Sequence, residues 1–116
     1  MFFAGGIGIT PFHSMIKDAT ERRLPHRLTL FYFNRTAASA AFLPDLDRWQ
    51  RENPNFSLIS TIGPLEAEAI KPRLEAAGTA ICYIAGPPGF VGAARAAVEG
   101  AGVDPDNVRT EEFSGY

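Results

Sequence analysis

A chain of 116 residues is long enough for one domain with its own core and small for a complete two-substrate enzyme. Its formal net charge is −2, and its basic residues are scattered, which argues against nucleic acid or an anionic membrane as the partner. The one cysteine, Cys82, excludes an internal disulfide and a multi-cysteine metal centre. We therefore predict a cytoplasmic protein without a membrane span and without a metal site.

Short apolar runs alternate along the chain with helical patterns, which is typical of a parallel sheet covered by helices on both faces. The alternation predicts five strands, at residues 1–4, 28–33, 56–61, 80–85 and 107–113. Helices are predicted between them, at residues 11–23, 40–52 and 66–77, followed by an alanine-rich helix that ends at Gly100. Ser39 is the predicted N-cap of the second helix, and Pro72 leaves open two short turns in place of the third.

A glycine-rich turn follows the first strand and contains Gly5, Gly6 and Gly8. Glycine permits a positive φ and a close approach of the backbone to a ligand, while Thr10 is predicted as the N-cap and Pro11 as the first residue of the helix. Such a helix start offers unpaired N–H groups to an anion such as a pyrophosphate. The alternative is a turn that only joins a strand to a helix. The pattern also departs from G-x-G-x-x-G, because Pro11 occupies the last glycine position.

A second glycine-bearing turn, residues 86–89, follows the fourth strand. In a doubly wound sheet both turns lie at the carboxyl ends of the strands, where ligands bind, so together they predict a nucleotide crevice. Asn34 and Arg35 follow the second strand, where such a site distinguishes the two adenosine riboses. An arginine without an acidic residue favours the 2′-phosphate of NADP over the 2′-hydroxyl of NAD, and a solvated surface arginine is the alternative.

Three motifs together resemble the NAD(P)-binding domain of the ferredoxin–NADP reductase family: residues 4–11 (AGGIGITP), 86–89 (GPPG) and 111–116 (EEFSGY). They occur in the family's order at compatible spacing, and the resemblance covers essentially the whole chain. It implies a doubly wound α/β fold with a five-stranded parallel sheet of order 3-2-1-4-5. It also implies an electron-transfer oxidoreductase in which hydride passes between NAD(P)H and FAD.

The resemblance assigns roles to the residues of these motifs. One side of a pyrophosphate and nicotinamide site would be lined by Gly5, Gly6, Gly8, Thr10 and Pro11. The opposite wall would be formed by Gly86, Pro87, Pro88 and Gly89. Glu112 and Phe113 are the predicted catalytic residues, because an aromatic ring can cover the flavin and a carboxylate can relay protons or position the ring. The alternative for this segment is a terminal strand with solvated glutamates.

The sequence departs from the family pattern in three ways. Ala85 stands where many relatives carry a cysteine, the segment at 61–68 is short, and the flavin-binding barrel that would precede this domain is absent from the chain. We therefore expect FAD only through a partner domain, in cis in a longer protein or in trans, and no electron transfer by this chain alone. The alternative is a non-catalytic nucleotide-binding or interaction module. The redox acceptor is not predicted.

Overall fold

The computed structural model describes residues 1–36, 42–77 and 81–113. Its sheet has five strands in the order β3-β2-β1-β4-β5, and neighbouring strands are parallel throughout. The strands are β1 (Phe2–Gly5), β2 (Leu28–Asn34), β3 (Phe56–Ile62), β4 (Cys82–Gly86) and β5 (Val108–Glu112). This order confirms the predicted doubly wound α/β fold, and the strand boundaries differ from the predicted ones by no more than two residues.

Four helices cover the two faces of the sheet, α1 and α2 on one face and α3 and α4 on the other. They are α1 (Ile9–Glu21), α2 (Leu43–Glu52), α3 (Ala67–Ala77) and α4 (Pro88–Gly100). Strand β2, which lies between β3 and β1, is buried on both faces, because its successive side chains point to opposite sides and helices cover both. Tyr32 packs in the core under α1 and α2, whereas Phe31 and Phe33 pack in the core under α3 and α4.

The start of α1 differs from the prediction. A 3-10 turn, Gly6–Gly8, runs directly into the helix, so that Gly8 is the N-cap and no side chain makes a capping hydrogen bond. Thr10 is the second residue of α1, and the prediction that it is the N-cap is therefore wrong. Pro11 is the third residue of α1 and not the first, so that prediction is also wrong. Proline is tolerated there because the first four N–H groups of a helix have no partner within it.

The spacing of apolar residues predicts that Phe12, Met15, Ile16 and Ala19 form the buried face of α1. Phe12, Ile16 and Ala19 are buried, but Met15 is 44% exposed, so the prediction is wrong for Met15. Helix α2 begins later than predicted. Phe42 precedes it as the N-cap residue and packs half-buried against the core, while Ser39 lies outside the described residues.

Helix α3 is continuous, although Pro72 lies inside it. Proline cannot donate the hydrogen bond of a helix interior and crowds the preceding turn, which is why two short turns were a reasonable alternative. Ile70 and Leu74 lie four residues apart on one face and are 2% and 3% exposed. Their packing against the sheet offsets the missing bond and accounts for the single helix.

Asn53 ties the carboxyl end of α2 to the carboxyl end of α1. Its Nδ2 donates to the Thr20 hydroxyl at 3.2 Å, and its Oδ1 accepts from the Asn55 N–H at 2.9 Å. Because Asn53 is only 5% exposed, Asn53→Ala should lower the free energy of unfolding by about 1–3 kcal/mol in urea denaturation. Thr20→Val removes only the longer bond and should cost less. An Asn53→Ala variant as stable as the wild type would contradict this role.

Candidate functional site

An open cleft of about 660 Å³ lies at the carboxyl ends of the first three strands, beside the first turn of α4. The strand order reverses direction between β1 and β4, so this cleft adjoins the position where doubly wound sheets bind ligands. Its lining comes from the ends of three strands and from α4, namely Gly5, Phe33, Asn34, Arg35, Gly63, Pro64, Leu65, Pro87, Gly89, Phe90 and Ala93.

A second cleft of similar volume, about 670 Å³, lies at the opposite edge of the sheet. It is lined by the carboxyl ends of α1 and α2 and includes Glu21 and Glu52. Helix C-termini carry the negative end of the helix dipole, and the two carboxylates outnumber the one arginine of the lining, Arg23, so this cleft is poorly suited to a phosphate-bearing ligand. The cleft at the carboxyl ends of the strands is therefore the candidate site.

The structure divides the predicted binding residues into groups. Those that line the cleft are Gly5, Asn34, Arg35, Pro87 and Gly89. Those that are buried in the two turns are Gly6, Gly8 and Gly86, while Thr10 and Pro88 are exposed at the starts of α1 and α4. Ligand contact by each of these residues stays a prediction.

The glycines of the first turn have a structural reason of their own. A Cβ atom on Gly8 would lie 2.1 Å from the backbone oxygen of Ala85, so the turn can pack against β4 only if this residue is glycine. Gly6 has a φ of +54°, in the left-handed region that favours glycine. These two glycines shape the turn whether or not a ligand approaches it.

The aromatic side chain of Phe90 is one of the parts of the cleft lining that the sequence did not predict, although the Phe90 N–H is a predicted donor to the cofactor. A Cβ atom on Gly5 would lie 2.6 Å from Phe90 Cγ, and one on Gly86 would lie 2.8 Å from Phe90 Cδ2. The ring also lies 5.6 Å from the ring of Phe33, centroid to centroid. Phe90 therefore occupies the space that the two glycines leave and forms an aromatic wall of the cleft. A glycine at the end of each of two neighbouring strands, followed by a phenylalanine in the next helix, was the available signal.

Asn34 has the most unusual environment in the cleft lining. The residue is 2% exposed, and its backbone oxygen accepts the Gly63 N–H at 2.8 Å. Its side-chain atoms Nδ2 and Oδ1 are both buried and have no hydrogen-bond partner among the residues that the structure describes. Such groups are rare in folded proteins, because an unpaired buried amide loses its hydration without compensation. Its neighbour Arg35 is exposed.

The start of α4 supplies backbone donors to the cleft. Pro87 is the N-cap and Pro88 has no N–H, and the first helical bond joins the Val91 N–H to the Pro87 oxygen at 3.0 Å. The N–H groups of Gly89 and Phe90 precede that bond, and both residues line the cleft. A helix start with such donors favours an anionic ligand.

The predicted catalytic residues lie beside the turn at 86–89 and not in the cleft lining. Glu112 is exposed and pairs in register with Gly86, and the Phe113 N–H donates to the Gly86 oxygen at 2.9 Å. The Phe113 ring is half-buried against the core on the α1 side of the sheet. Their catalytic roles stay predictions.

On that same side, Pro11 lines a separate groove of about 190 Å³ between α1 and the strands β4 and β5. Met15 and Tyr83 also line it. Pro11 is thus a predicted binding residue that the structure places in a different depression from the cleft.

The surroundings of Cys82 and His13 suit structural roles for both residues. Cys82 is fully buried in β4, and burial raises the pKa of its thiol, so the thiol is protonated at neutral pH and poorly suited to redox chemistry. His13 Nε2 lies 3.2 Å from Asp45 Oδ2, and its ring packs against Phe42 and Trp49.

Within residues 1–36, 42–77 and 81–113, no group of three acidic, histidine or cysteine side chains could hold a metal ion. In the same ranges, no helix has the length and apolar sequence that crossing a membrane requires.

A parallel doubly wound sheet, with glycine turns after β1 and β4 beside a cleft at its carboxyl edge, defines a dinucleotide-binding domain of the ferredoxin–NADP reductase type. Residues 2–96 match the family model described as the oxidoreductase NAD-binding domain. The chain belongs to this family, the nicotinamide-nucleotide-binding domain of electron-transfer oxidoreductases.

Curated relatives are similar over nearly the whole chain. The vanillate O-demethylase oxidoreductase of Acinetobacter baylyi is 31% identical over 113 residues, which cover 97% of this chain and 35% of the relative. The toluate 1,2-dioxygenase electron transfer component of Pseudomonas putida is 25% identical over 123 residues, 98% of this chain and 37% of the relative. The chain thus spans about a third of the length of these relatives.

Solved structures support the fold. The flavohem-like FAD/NAD binding domain of nitric oxide dioxygenase from Vibrio cholerae superposes with a TM-score of 0.84 at 16% identity. The match covers 97% of this chain and 49% of that one. At this level of identity the similarity establishes the fold alone.

Proposed function

We propose that this chain binds NAD(P)H and presents its nicotinamide for hydride transfer to FAD held by a partner domain. The observation that carries the proposal is the cleft itself. It lies at the carboxyl edge of the sheet and is lined by residues from both glycine turns. The flavin domain would be joined in cis in a longer protein or bound in trans, and the buried cysteine supports a cytoplasmic location.

The residues of the cleft fit a nicotinamide dinucleotide. The volume of about 660 Å³ accommodates an extended ligand, the Phe33 and Phe90 rings offer apolar walls, and the Gly89 and Phe90 N–H groups suit a pyrophosphate. The unpaired Asn34 carboxamide supplies a polar group that a ligand could satisfy. When bound, NAD(P)H supplies the hydride, and the residues of this chain bind and orient it.

Phe113 and Glu112 are proposed to act at the flavin side. The Phe113 main chain is bonded to Gly86, which holds this segment beside the 86–89 turn. A ring there would shield the reacting atoms from water, and the exposed Glu112 carboxylate would relay protons or position the ring. These roles rest on the family resemblance and on this proximity.

Ligand binding to the isolated chain tests the first half of the proposal. NADH or NADPH at 100 times its Kd should stabilise the folded chain by about 2.7 kcal/mol, measured as a rise in the thermal unfolding temperature. We expect no oxidation of either nucleotide until a flavin-loaded domain of the same family is added. Binding that never leads to oxidation with such a domain would favour the non-catalytic module, and absence of binding would contradict the proposal.

Arg35 is proposed to favour NADPH over NADH. The side chain is exposed and lines the cleft, so a guanidinium could pair with a 2′-phosphate. Arg35→Ala should weaken NADPH binding about tenfold and leave NADH binding unchanged in isothermal titration calorimetry. Arg27→Ala, which changes an exposed arginine just before β2 at the opposite edge of the sheet, is the matched control. Equal losses for both nucleotides would exclude a role of Arg35 in discrimination.

A further inference from the structure

Strand β3 forms one edge of the sheet and lacks the charges that protect an edge strand. The opposite edge strand, β5, carries Arg109, Glu111 and Glu112, which disfavour pairing with another chain. By contrast, residues 53–65 contain no charged side chain, and β3 itself contains neither proline nor glycine. Ile62 at its carboxyl end is 52% exposed. An uncharged edge of this kind is a surface on which another strand can pair.

The hydrogen bonds at the two ends of β3 show which of its backbone groups face outwards. The Leu28 N–H donates to the Asn55 oxygen, and the Gly63 N–H donates to the Asn34 oxygen. Successive residues of a strand direct their N–H and C=O groups to opposite sides, so alternate residues of β3 point away from β2. The residues whose backbone groups point away from β2 are Phe56, Leu58, Ser60 and Ile62.

The amino half of this outer edge is already bonded within the chain. The Phe56 N–H donates to the Asn53 oxygen at 3.1 Å. The Leu58 N–H donates to Oε1 of Gln50, a residue of α2, at 2.6 Å. Another strand could pair with this half only by displacing these bonds.

The carboxyl half of the outer edge is open. Among the residues that the structure describes, none is hydrogen-bonded to the outward groups of Ser60 and Ile62, and both residues are exposed. Pro64, the next residue in the alternation, has no N–H and ends the open stretch. The open donors and acceptors therefore lie on either side of Thr61.

We infer that two copies of this chain pair antiparallel through this stretch, about a two-fold axis at Thr61. In this register the Ser60 N–H donates to the Ile62 oxygen of the second copy, and the Ile62 N–H donates to its Ser60 oxygen. The symmetry repeats both bonds, because a two-fold interface uses the same surface of each copy. The two sheets then form one continuous sheet.

The register follows from the groups that are already bonded. An axis at Ser60 would require the Leu58 N–H as a donor to the second copy, but Gln50 accepts from that group. With the axis at Thr61, the bond between Leu58 and Gln50 stays intact. The two Thr61 side chains lie opposite each other on one face, and cross-strand threonine pairs stabilise antiparallel strands.

A second copy fits this edge better than an unrelated strand does, because the open stretch is self-complementary. Each copy supplies the donors and acceptors that the other requires, and no like charges meet within residues 53–65. The pairing also uses the sheet edge far from β5. Glu112 and Phe113 therefore stay accessible to a flavin domain, and the inference does not depend on the proposed function.

Sedimentation velocity at increasing protein concentration tests the inference. The wild type should form a reversible dimer with a dissociation constant in the micromolar range, because the interface is small. Ser60→Pro removes an N–H that β2 does not use, and Ile62→Lys places like charges close to the axis. Each variant should raise the dissociation constant by at least about tenfold. Ile62→Lys serves alone should Ser60→Pro fail to fold.

Met15→Lys is the matched control, because Met15 is an apolar residue of α1 that is 44% exposed and lies away from β3. It should leave the dissociation constant unchanged. A wild type that stays monomeric at every concentration would overturn the inference. A dimer that Met15→Lys disrupts and Ile62→Lys does not would also overturn it, since the interface would then lie on the α1 side of β4 and β5.

Cysteine cross-linking tests the register. Residues opposite each other at a non-hydrogen-bonded position have Cα atoms about 4.5 Å apart, which a disulfide can span. Thr61→Cys should therefore form a covalent dimer with oxidised glutathione, seen by non-reducing electrophoresis. Ser57→Cys, on the same face of β3, should not, and the buried Cys82 should not react. Equal cross-linking of the two variants would overturn the pairing about Thr61.

Discussion

Gly8→Ala is expected to lower the free energy of unfolding by about 3 kcal/mol and to abolish nucleotide binding. The added Cβ atom would lie 2.1 Å from the Ala85 oxygen, 2.4 Å from its carbonyl carbon and 2.8 Å from the Gly86 nitrogen. All three are backbone atoms of β4, so no rotation of a side chain can relieve the contact. Urea denaturation gives the stability, and calorimetry with NADH gives the affinity.

The backbone conformation of Gly8 excludes strain at residue 8 itself as the cause of the expected loss of stability. Its φ is −62° and its ψ is −7°, which alanine adopts readily, so the loss would come from the contact with β4 and not from strain in the substituted residue. The turn would have to move away from β4, and the start of α1 would move with it. Loss of binding together with loss of stability is therefore the expected pattern.

Gly92→Ala is the control for the same chemical change. Gly92 lies inside α4, and its added Cβ atom would have no neighbour within 4 Å. Because alanine favours a helix over glycine, this variant should be more stable by about 1 kcal/mol. If Gly8→Ala proved as stable as Gly92→Ala, the contact between the turn and β4 would not limit the fold.

Much of the fold was predictable from local patterns. The run at 28–33 is apolar on both faces, which indicates a strand covered by helices on both sides, and Phe31 and Tyr32 are indeed buried on opposite faces. Val91, Ala94 and Val98 were correctly predicted to face the core from α4. The strand order came from the three motifs and their family resemblance, because alternating elements alone do not fix which strands are neighbours.

The predictions that were wrong or incomplete concern features that depend on contacts between distant parts of the chain. Thr10 has a typical capping side chain, yet the helix begins before it, because the turn at Gly6–Gly8 is already helical and packs on β4. Pro72 suggested a break, but the packing of α3 outweighs its local cost. The role of the Phe90 side chain was not predicted, because a phenylalanine early in a helix has many uses and only the structure shows which glycines its ring faces.

Two different physical reasons therefore account for the glycines at the carboxyl edge of the sheet. Gly8 allows backbone to approach backbone, whereas Gly5 and Gly86 make room for the ring of Phe90. The first contact fixes the start of α1 against the sheet, and the second fixes the aromatic wall of the cleft. The consequences of substitution should differ accordingly, since a side chain can move where a backbone cannot.

Gly5→Ala is expected to weaken both ligand binding and stability through the ring of Phe90. The new Cβ atom would lie 2.6 to 3.0 Å from three atoms of the Phe90 ring, so the ring must leave its place beside β1. A displaced ring enters the cleft that Phe90 lines, and NADH affinity should fall about tenfold or more, whereas the stability cost should be about 1–3 kcal/mol. Calorimetry and urea denaturation measure the two effects on the same preparation.

A double-mutant cycle with Phe90→Ala then identifies the ring as the cause. Phe90→Ala alone removes packing against Phe33 and should destabilise the chain, but Gly5→Ala should add little in that background, with a coupling energy of about 1–3 kcal/mol. Phe90→Ala should offset the effect of Gly86→Ala less completely than that of Gly5→Ala, because a Cβ atom on residue 86 would also lie 3.2 Å from the Gly5 oxygen. Additive effects of Gly5→Ala and Phe90→Ala would show that the Phe90 ring is not the reason why glycine is needed at the end of β1. In that case the requirement for glycine there would have to come from the ligand.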